Sequence, residues 1–242
     1  MNMKVKNMIE KRPFELLGHA NHGWLDAYHH FSFASYHNHN RMNWGNLRVW
    51  NDDTIAPGSG FPFHPHENME IITYVRKGAI SHEDSLGNKG KTKAGDVQVM
   101  SAGTGIMHSE YNAENIPTEI FQIWIYPEKT GGKPSWDSKP FPEENRIGKF
   151  SVLASGFSTD TEALPIRTNA RVLGTRLKSG QEIIYKPETG TSIYIVASSG
   201  KVTINDIIIN TRDGVAIRDE SELRIIAQEN AELVMVETHN HE

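Results

Sequence analysis

The chain contains no cysteine. Disulfides are therefore excluded, and so is the thiolate ligation that marks Cys-rich zinc or copper(I) sites. Long apolar runs are also missing. No stretch approaches the roughly 18 apolar residues of a membrane-spanning helix. There is no basic run or stripe, and the 25 Lys and Arg against 30 Asp and Glu give a net charge of −5. That balance argues against a polyanion such as nucleic acid as a direct partner. Residues 1–13 lack an apolar segment followed by a small-residue cleavage site, so no signal peptide is expected. A soluble, cytoplasmic protein with no membrane partner is the expectation. Helical periodicity is poor throughout.

Short apolar segments separated by Gly, Asn, Asp, Ser or Pro are what the chain does have, and that is an all-β pattern. Residues 47–50, 70–76, 97–100, 107–111 and 120–126 read as strands in the first half. Residues 193–196, 202–205, 215–217, 223–227 and 233–237 read as strands in the second. Turn chemistry lies between them, as in Gly87-Asn88-Lys89-Gly90 and Gly103-Thr104-Gly105. Residues 127–149 hold four prolines and the pair Gly131-Gly132, which suggests a connection between two β domains with a short helix near 143–146. The expected division is residues 1–135 and 136–242. Ten of the twelve histidines lie at or before position 108 and none lies between 109 and 238, so metal chemistry is assigned to the first domain.

Two pairs carry the chemistry, His64-Pro65-His66 and His108-Ser109-Glu110. Residues i and i+2 of a strand share a face. Two such strands side by side could aim three imidazoles and one carboxylate at a single point, a donor set suited to a divalent first-row metal.

Around these pairs the sequence resembles a known family. Gly58-Ser-Gly-Phe-Pro-Phe-His64-Pro-His66-Glu-Asn-Met-Glu70 is similar to the first cupin motif, with Gly78 one residue later than usual. Gly95-Asp-Val-Gln-Val-Met-Ser-Ala-Gly103-Thr-Gly-Ile-Met-His108-Ser-Glu110 is similar to the second, with Ser101-Ala102-Gly103 where Pro-x-Gly is usual. Those departures, together with Asn21-His-Gly-Trp-Leu-Asp26, Leu47-Arg-Val-Trp-Asn-Asp52 and Met69-Glu-Ile71, resemble the pirin family and its bacterial quercetin 2,3-dioxygenase-like branch. The resemblance implies an all-β bicupin, two antiparallel jelly-roll barrels with metal only in the first. It implies His64, His66, His108 and Glu110 as metal ligands, and Fe(II) as first choice among Fe, Mn, Ni, Co, Cu and Zn. It further implies cleavage of a flavonol such as quercetin by O2 with release of carbon monoxide, Glu110 accepting the proton of the flavonol 3-hydroxyl. A closed structural zinc site competes with the redox-active one. A non-catalytic, metal-dependent regulator bound to a transcription factor or metabolic enzyme needs the same ligands, and so does another cupin activity on an unidentified small molecule.

Several residues compete or stand apart. Glu70 is the rival carboxylate, expected beside the metal shell and orienting a ligand imidazole. His19, His22, His29, His30, His37 and His39 are read as solvated or loop-packing residues rather than a second metal site. His239-Asn-His241-Glu242 is a place for adventitious metal capture. Phe31, Phe33, Tyr36 and Trp44 are expected to pack an N-terminal segment over the barrel, the competing expectation being an aromatic wall for a flat substrate. Thr104-Gly105 is read as a tight turn, or as the pocket floor.

Overall fold

The computed structural model describes residues 8–239. Four antiparallel-dominated sheets form two barrels, each built from one seven-stranded and one four-stranded sheet. In the first barrel, Glu70–Lys77, Thr118–Ile125 and Leu47–Ile55 lie side by side at the centre of the larger sheet. Ser59–His66, Ile106–Asn112, Ala79–Asp84 and Lys89–Lys93 form the smaller one. In the second barrel, Thr191–Ser199 and Ala231–His239 are central to the larger sheet. The two-barrel, all-β expectation is met, and the expected strands form, most with longer ends, while 223–227 is unchanged and 202–205 stops at Ile204. The helix expected near 143–146 is a single 3-10 turn, Glu143–Arg146.

The two large sheets pack back to back, which explains their composition. In Leu47–Ile55, Trp50 packs between the barrels while Ile55 faces the first interior, so both faces are buried. Burial on both faces leaves this strand without alternation, and Asn51, Asp52 and Asp53 are buried on it beside the apolar residues, whereas Ile106–Asn112 of the small sheet alternates between buried and more exposed positions. Trp50, Tyr74, Phe121 and Tyr194 meet in the seam between barrels.

Two strands cross the division expected at 135/136. Met8–Arg12 pairs with Gly214–Arg218 and belongs to the second barrel's sheet. Ser135–Lys139 pairs with Val97–Ser101 and extends the first. The second barrel thus takes an edge strand from the far side of the first barrel's sequence, a long-range pairing that local pattern does not encode. Arg12 is carried into the seam by its strand, 1% exposed, with its guanidinium over Phe31, Trp44 and Tyr194. Phe31 and Trp44 belong to this seam, as the packing expectation has it, while Phe33 lines the first barrel's cavity.

The interiors differ. The second barrel is filled by one apolar cluster containing Leu173, Ile195, Ile225 and Met235. The first has two separate clusters, one around Leu25, Ile55 and Ile120 and one around Ile71, Met100 and Ile106. Buried polar groups lie on the same strands, among them Asn51, Asp53, Thr73, Gln98, Glu110 and Gln122. A barrel that gives up interior packing for buried polar side chains does so where it holds a site.

Candidate metal centre

The strand Ile106–Asn112 pairs with Ser59–His66 on one side and Ala79–Asp84 on the other. The register sets His108 opposite His64 and, on the other edge, opposite Asp84. The pairing shifts between His108 and Glu110, so that Glu110 faces Phe61. Such a bulge re-aims side chains beside a site.

His64, His66 and His108 converge, their ligand nitrogens all lying within 4.8 Å of one another. The Nε2 atoms of His64 and His108 are 3.1 Å apart. The Nδ1–H of His64 donates to the Pro62 carbonyl at 2.7 Å, which fixes the tautomer and leaves Nε2 with its lone pair toward the other two rings. Burial and the neighbouring His64 imidazole hold His66 down at about 4. Burial, then His64, His66 and His82, hold His108 down at about 2. Both rings are therefore neutral at neutral pH, the state in which imidazole binds metal. Three buried or half-buried imidazole nitrogens facing one another, those of His66 and His108 held neutral, fit a divalent cation. Among the described residues this is the one group of three or more His, Cys, Asp or Glu whose ligand atoms converge so closely.

Behind His108 stands a pair that the sequence reading did not single out. His82 Nδ1 lies 3.5 Å from His108 Nδ1, and His82 Nε2 lies 3.1 Å from Asp84 Oδ2. The His82 ring is stacked on Trp136 at 4.6 Å and 6°. With His82 donating to Asp84 through Nε2, its Nδ1 accepts from His108 Nδ1–H and leaves His108 Nε2 to the cluster. The signal was available, since His82-x-Asp84 has the same one-residue spacing as the two ligand pairs.

Glu110 lines the same cavity and is 2% exposed. It is not one of the three converging groups. Its Oε1 accepts from Thr73 Oγ1 at 3.0 Å and Gln98 Nε2 at 2.7 Å, and its Oε2 accepts from Gln122 Nε2. Burial pushes its carboxyl up to about 7, against the pull of those three donors.

Glu70 does not orient a ligand imidazole. Its Oε2 accepts from Ser101 Oγ at 2.6 Å and from the Arg167 backbone N–H of the second barrel at 3.1 Å. The chain turns through Asn68, at φ 49°, between the strand of His66 and the strand of Glu70, so strand parity does not carry across. On the new strand Ile71 faces the cavity and Glu70 faces the other barrel. Thr104 and Gly105 form a tight turn, closed by Gly105 N–H to the Ala102 carbonyl at 2.9 Å, and neither lines the main cavity. Of the N-terminal histidines, His30 is buried against Tyr194 and His29 against Asn51, while His19 pairs with Asp26. His241 lies outside the described residues.

The cavity in front of the cluster has a volume of about 410 Å³. Leu25, Ala27, Phe33, Phe61, Ile71 and Trp124 give it apolar walls. A concave, mostly apolar space with a few buried polar groups is the usual form of a small-molecule site.

Comparison with known proteins agrees with this architecture. Residues 10–125 match the Pirin family model, and residues 152–238 match the model of the quercetinase C-terminal cupin domain. A pirin-like protein of Caulobacter vibrioides is 62% identical over 230 residues, covering 95% of this chain and 99% of its own. The chain belongs to the pirin family. Within it, the quercetin 2,3-dioxygenase of Escherichia coli is 40% identical over 229 residues, covering 94% of this chain and 97% of its own. The crystal structure of a bacterial pirin from Escherichia coli in complex with nickel(II) superposes with a TM-score of 0.91 at 38% identity, over 97% of this chain and all of that one. No helix among the described residues is long and apolar enough to cross a membrane.

Proposed function

We propose that this pirin is a metal-dependent dioxygenase that cleaves a flavonol, with quercetin as the type substrate and O2 as the second. The observation that carries this reading is the junction of three converging imidazoles with an apolar-walled cavity and a buried carboxyl, Glu110, beside them. His64, His66 and His108 would hold the metal, with Glu110 as the fourth ligand by rotation of its side chain, and Fe(II) is our first choice. When bound, the metal supplies electrostatic stabilisation of a deprotonated flavonol oxygen and a route to O2 chemistry.

The chain's own residues do the rest. The apolar walls hold flat rings and exclude water. Glu110, held up at about 7 by burial, is poised to take the proton of the flavonol 3-hydroxyl at neutral pH. Thr73, Gln98 and Gln122 hold the carboxylate in place and offset its charge until it takes that proton. Similarity to the quercetin 2,3-dioxygenase of Escherichia coli supports the substrate class.

The test is direct. Purified protein reconstituted in turn with Fe(II), Mn(II), Ni(II), Co(II), Cu(II) and Zn(II) should consume quercetin and O2 and release carbon monoxide with at least one of them. A 3-O-methylated flavonol should be inert. If no metal supports flavonol consumption, the dioxygenase assignment falls in favour of a metal-dependent regulator.

A further inference from the structure

Next to Glu110 the cavity wall carries further polar groups, of which the chemistry above uses only the Gln122 Nε2–H. On the strand Leu47–Ile55, Asn51 and Asp53 face inward. Asn51 is paired across the sheet with Gln122, and Asp53 with Ile120. Asp53 and Gln122 are therefore diagonal neighbours on adjacent strands, within reach of one common ligand group. Asp53 is 2% exposed and Gln122 is 6% exposed.

Asn51 is satisfied by His29, whose Nδ1 lies 2.9 Å from its Oδ1. The other two are not. Asp53 Oδ1 and Gln122 Oε1 are buried and find no hydrogen-bond partner among the described residues. The orientation of the Gln122 amide is fixed by chemistry: Nε2 must be the atom that donates to the Glu110 carboxylate, so Oε1 is an acceptor. Burial, with the carboxyls of Asp52 and Glu110 nearby, pushes Asp53 well above the ordinary carboxylate range despite Arg76. Two oxygens left open on the wall of an otherwise apolar cavity cost free energy unless something polar meets them.

We propose that Asp53 and Gln122 form a hydroxyl-recognising subsite, which takes phenolic O–H groups of a flat aromatic ligand other than the 3-hydroxyl. The proposal rests on the flavonol reading and deepens it. It selects polyhydroxylated flavonols over a flavonol that carries the 3-hydroxyl alone. A phenol can donate to Gln122 Oε1, and either donate to or accept from Asp53. An unsubstituted ring would leave both oxygens unmet, and a site built to bond a hydroxyl rejects its absence strongly.

Asp53 is thereby a specificity-determining residue rather than a catalytic one, and binding reads it out more directly than turnover. Anaerobic titration of the metal-loaded protein with quercetin and with 3-hydroxyflavone should show quercetin bound at least about tenfold more tightly. Asp53→Leu, which keeps the branched shape without the polar atoms, should lose about tenfold or more in quercetin affinity while its 3-hydroxyflavone affinity and metal content stay within about twofold of wild type. Equal affinity of the wild type for the two ligands overturns the subsite whether or not the variant folds. So does an Asp53→Leu protein that keeps the wild-type preference. If the wild type binds neither ligand, the flavonol reading falls and takes the subsite with it. A wild type that binds both alike removes the subsite alone.

Discussion

His108 lies at the crossing of three dependencies, the metal cluster, the His82–Asp84 pair and the bulge that precedes Glu110. Its ring is held from behind and in front, and it is itself 2% exposed. At this scale the cluster and the carboxyl separate into two functions. His64→Ala, His66→Ala and His108→Ala should each lower bound metal sharply, measured by metal analysis after gel filtration. The barrel should still melt cooperatively, because the apolar clusters around Ile55 and Met100 do not include the histidines. Undiminished stoichiometry in any one of them removes that residue from the site. Glu110→Gln conserves volume and one acceptor oxygen but removes the base. It should keep part of the metal and lose flavonol oxygenation by about two to four orders of magnitude. Near-normal turnover with metal bound would transfer the proton-accepting role elsewhere.

Among the elements, the pairing of Ser59–His66 with Ile106–Asn112 builds the site, because it alone sets His64 opposite His108. Gly60 sits in that ladder opposite Tyr111. A Cβ there would stand 2.2 Å from the Glu110 carbonyl oxygen and 2.6 Å from Tyr111 Cα, both backbone atoms that cannot swing aside. Gly60→Ala should force the strands apart locally, at a cost of about 1–3 kcal/mol as for other overpacked sites. The same displacement should weaken metal binding, since the ligands on the two strands lose their alignment. Thermal melting and metal titration of this variant check both effects. An unchanged melting temperature with full metal affinity would show that the ladder tolerates the methyl.

Over the whole molecule, two barrels share one seam, and charge crosses it. Asp52 is fully buried, with Oδ1 accepting from Arg76 of its own barrel and Oδ2 from Arg212 Nε of the other at 2.6 Å. Arg212 also lies over Phe14, 3.9 Å from the ring centroid. Glu232 of the second barrel accepts from Tyr74 of the first and pairs with Arg176. A buried pair is weak evidence of stability when both members are present, but removing one partner leaves an unmatched charge. Asp52→Ala should therefore destabilise the protein by about 3–5 kcal/mol in urea unfolding. Its metal stoichiometry in the native state should be unaltered, because Asp52 faces the seam, bonded to Arg76 and Arg212, while its neighbours Asn51 and Asp53 line the cavity. A loss under about 1 kcal/mol would mean that Arg76 and Arg212 find water or Glu119 instead.

The sequence by itself determined the all-β class, the two-barrel count and the three imidazoles. All of these rest on local signals: alternation with period two, turn residues at the boundaries, and ligands one residue apart on a strand. The absence of histidine between 109 and 238 likewise assigned the metal chemistry to one barrel. Tertiary structure decided the rest, because it depends on pairings between distant residues. Met8–Arg12 joins the sheet of the second barrel, across the whole of the first from its pairing partner Gly214–Arg218. Glu70 has the spacing of a ligand but turns toward Arg167, because the chain reverses at Asn68 before its strand begins. Glu110 has the spacing of a fourth ligand, yet its partners Thr73, Gln98 and Gln122 come from three other strands. Asp53 and Gln122 are separated along the chain and meet only because register places their strands side by side, which no periodicity within either strand can show.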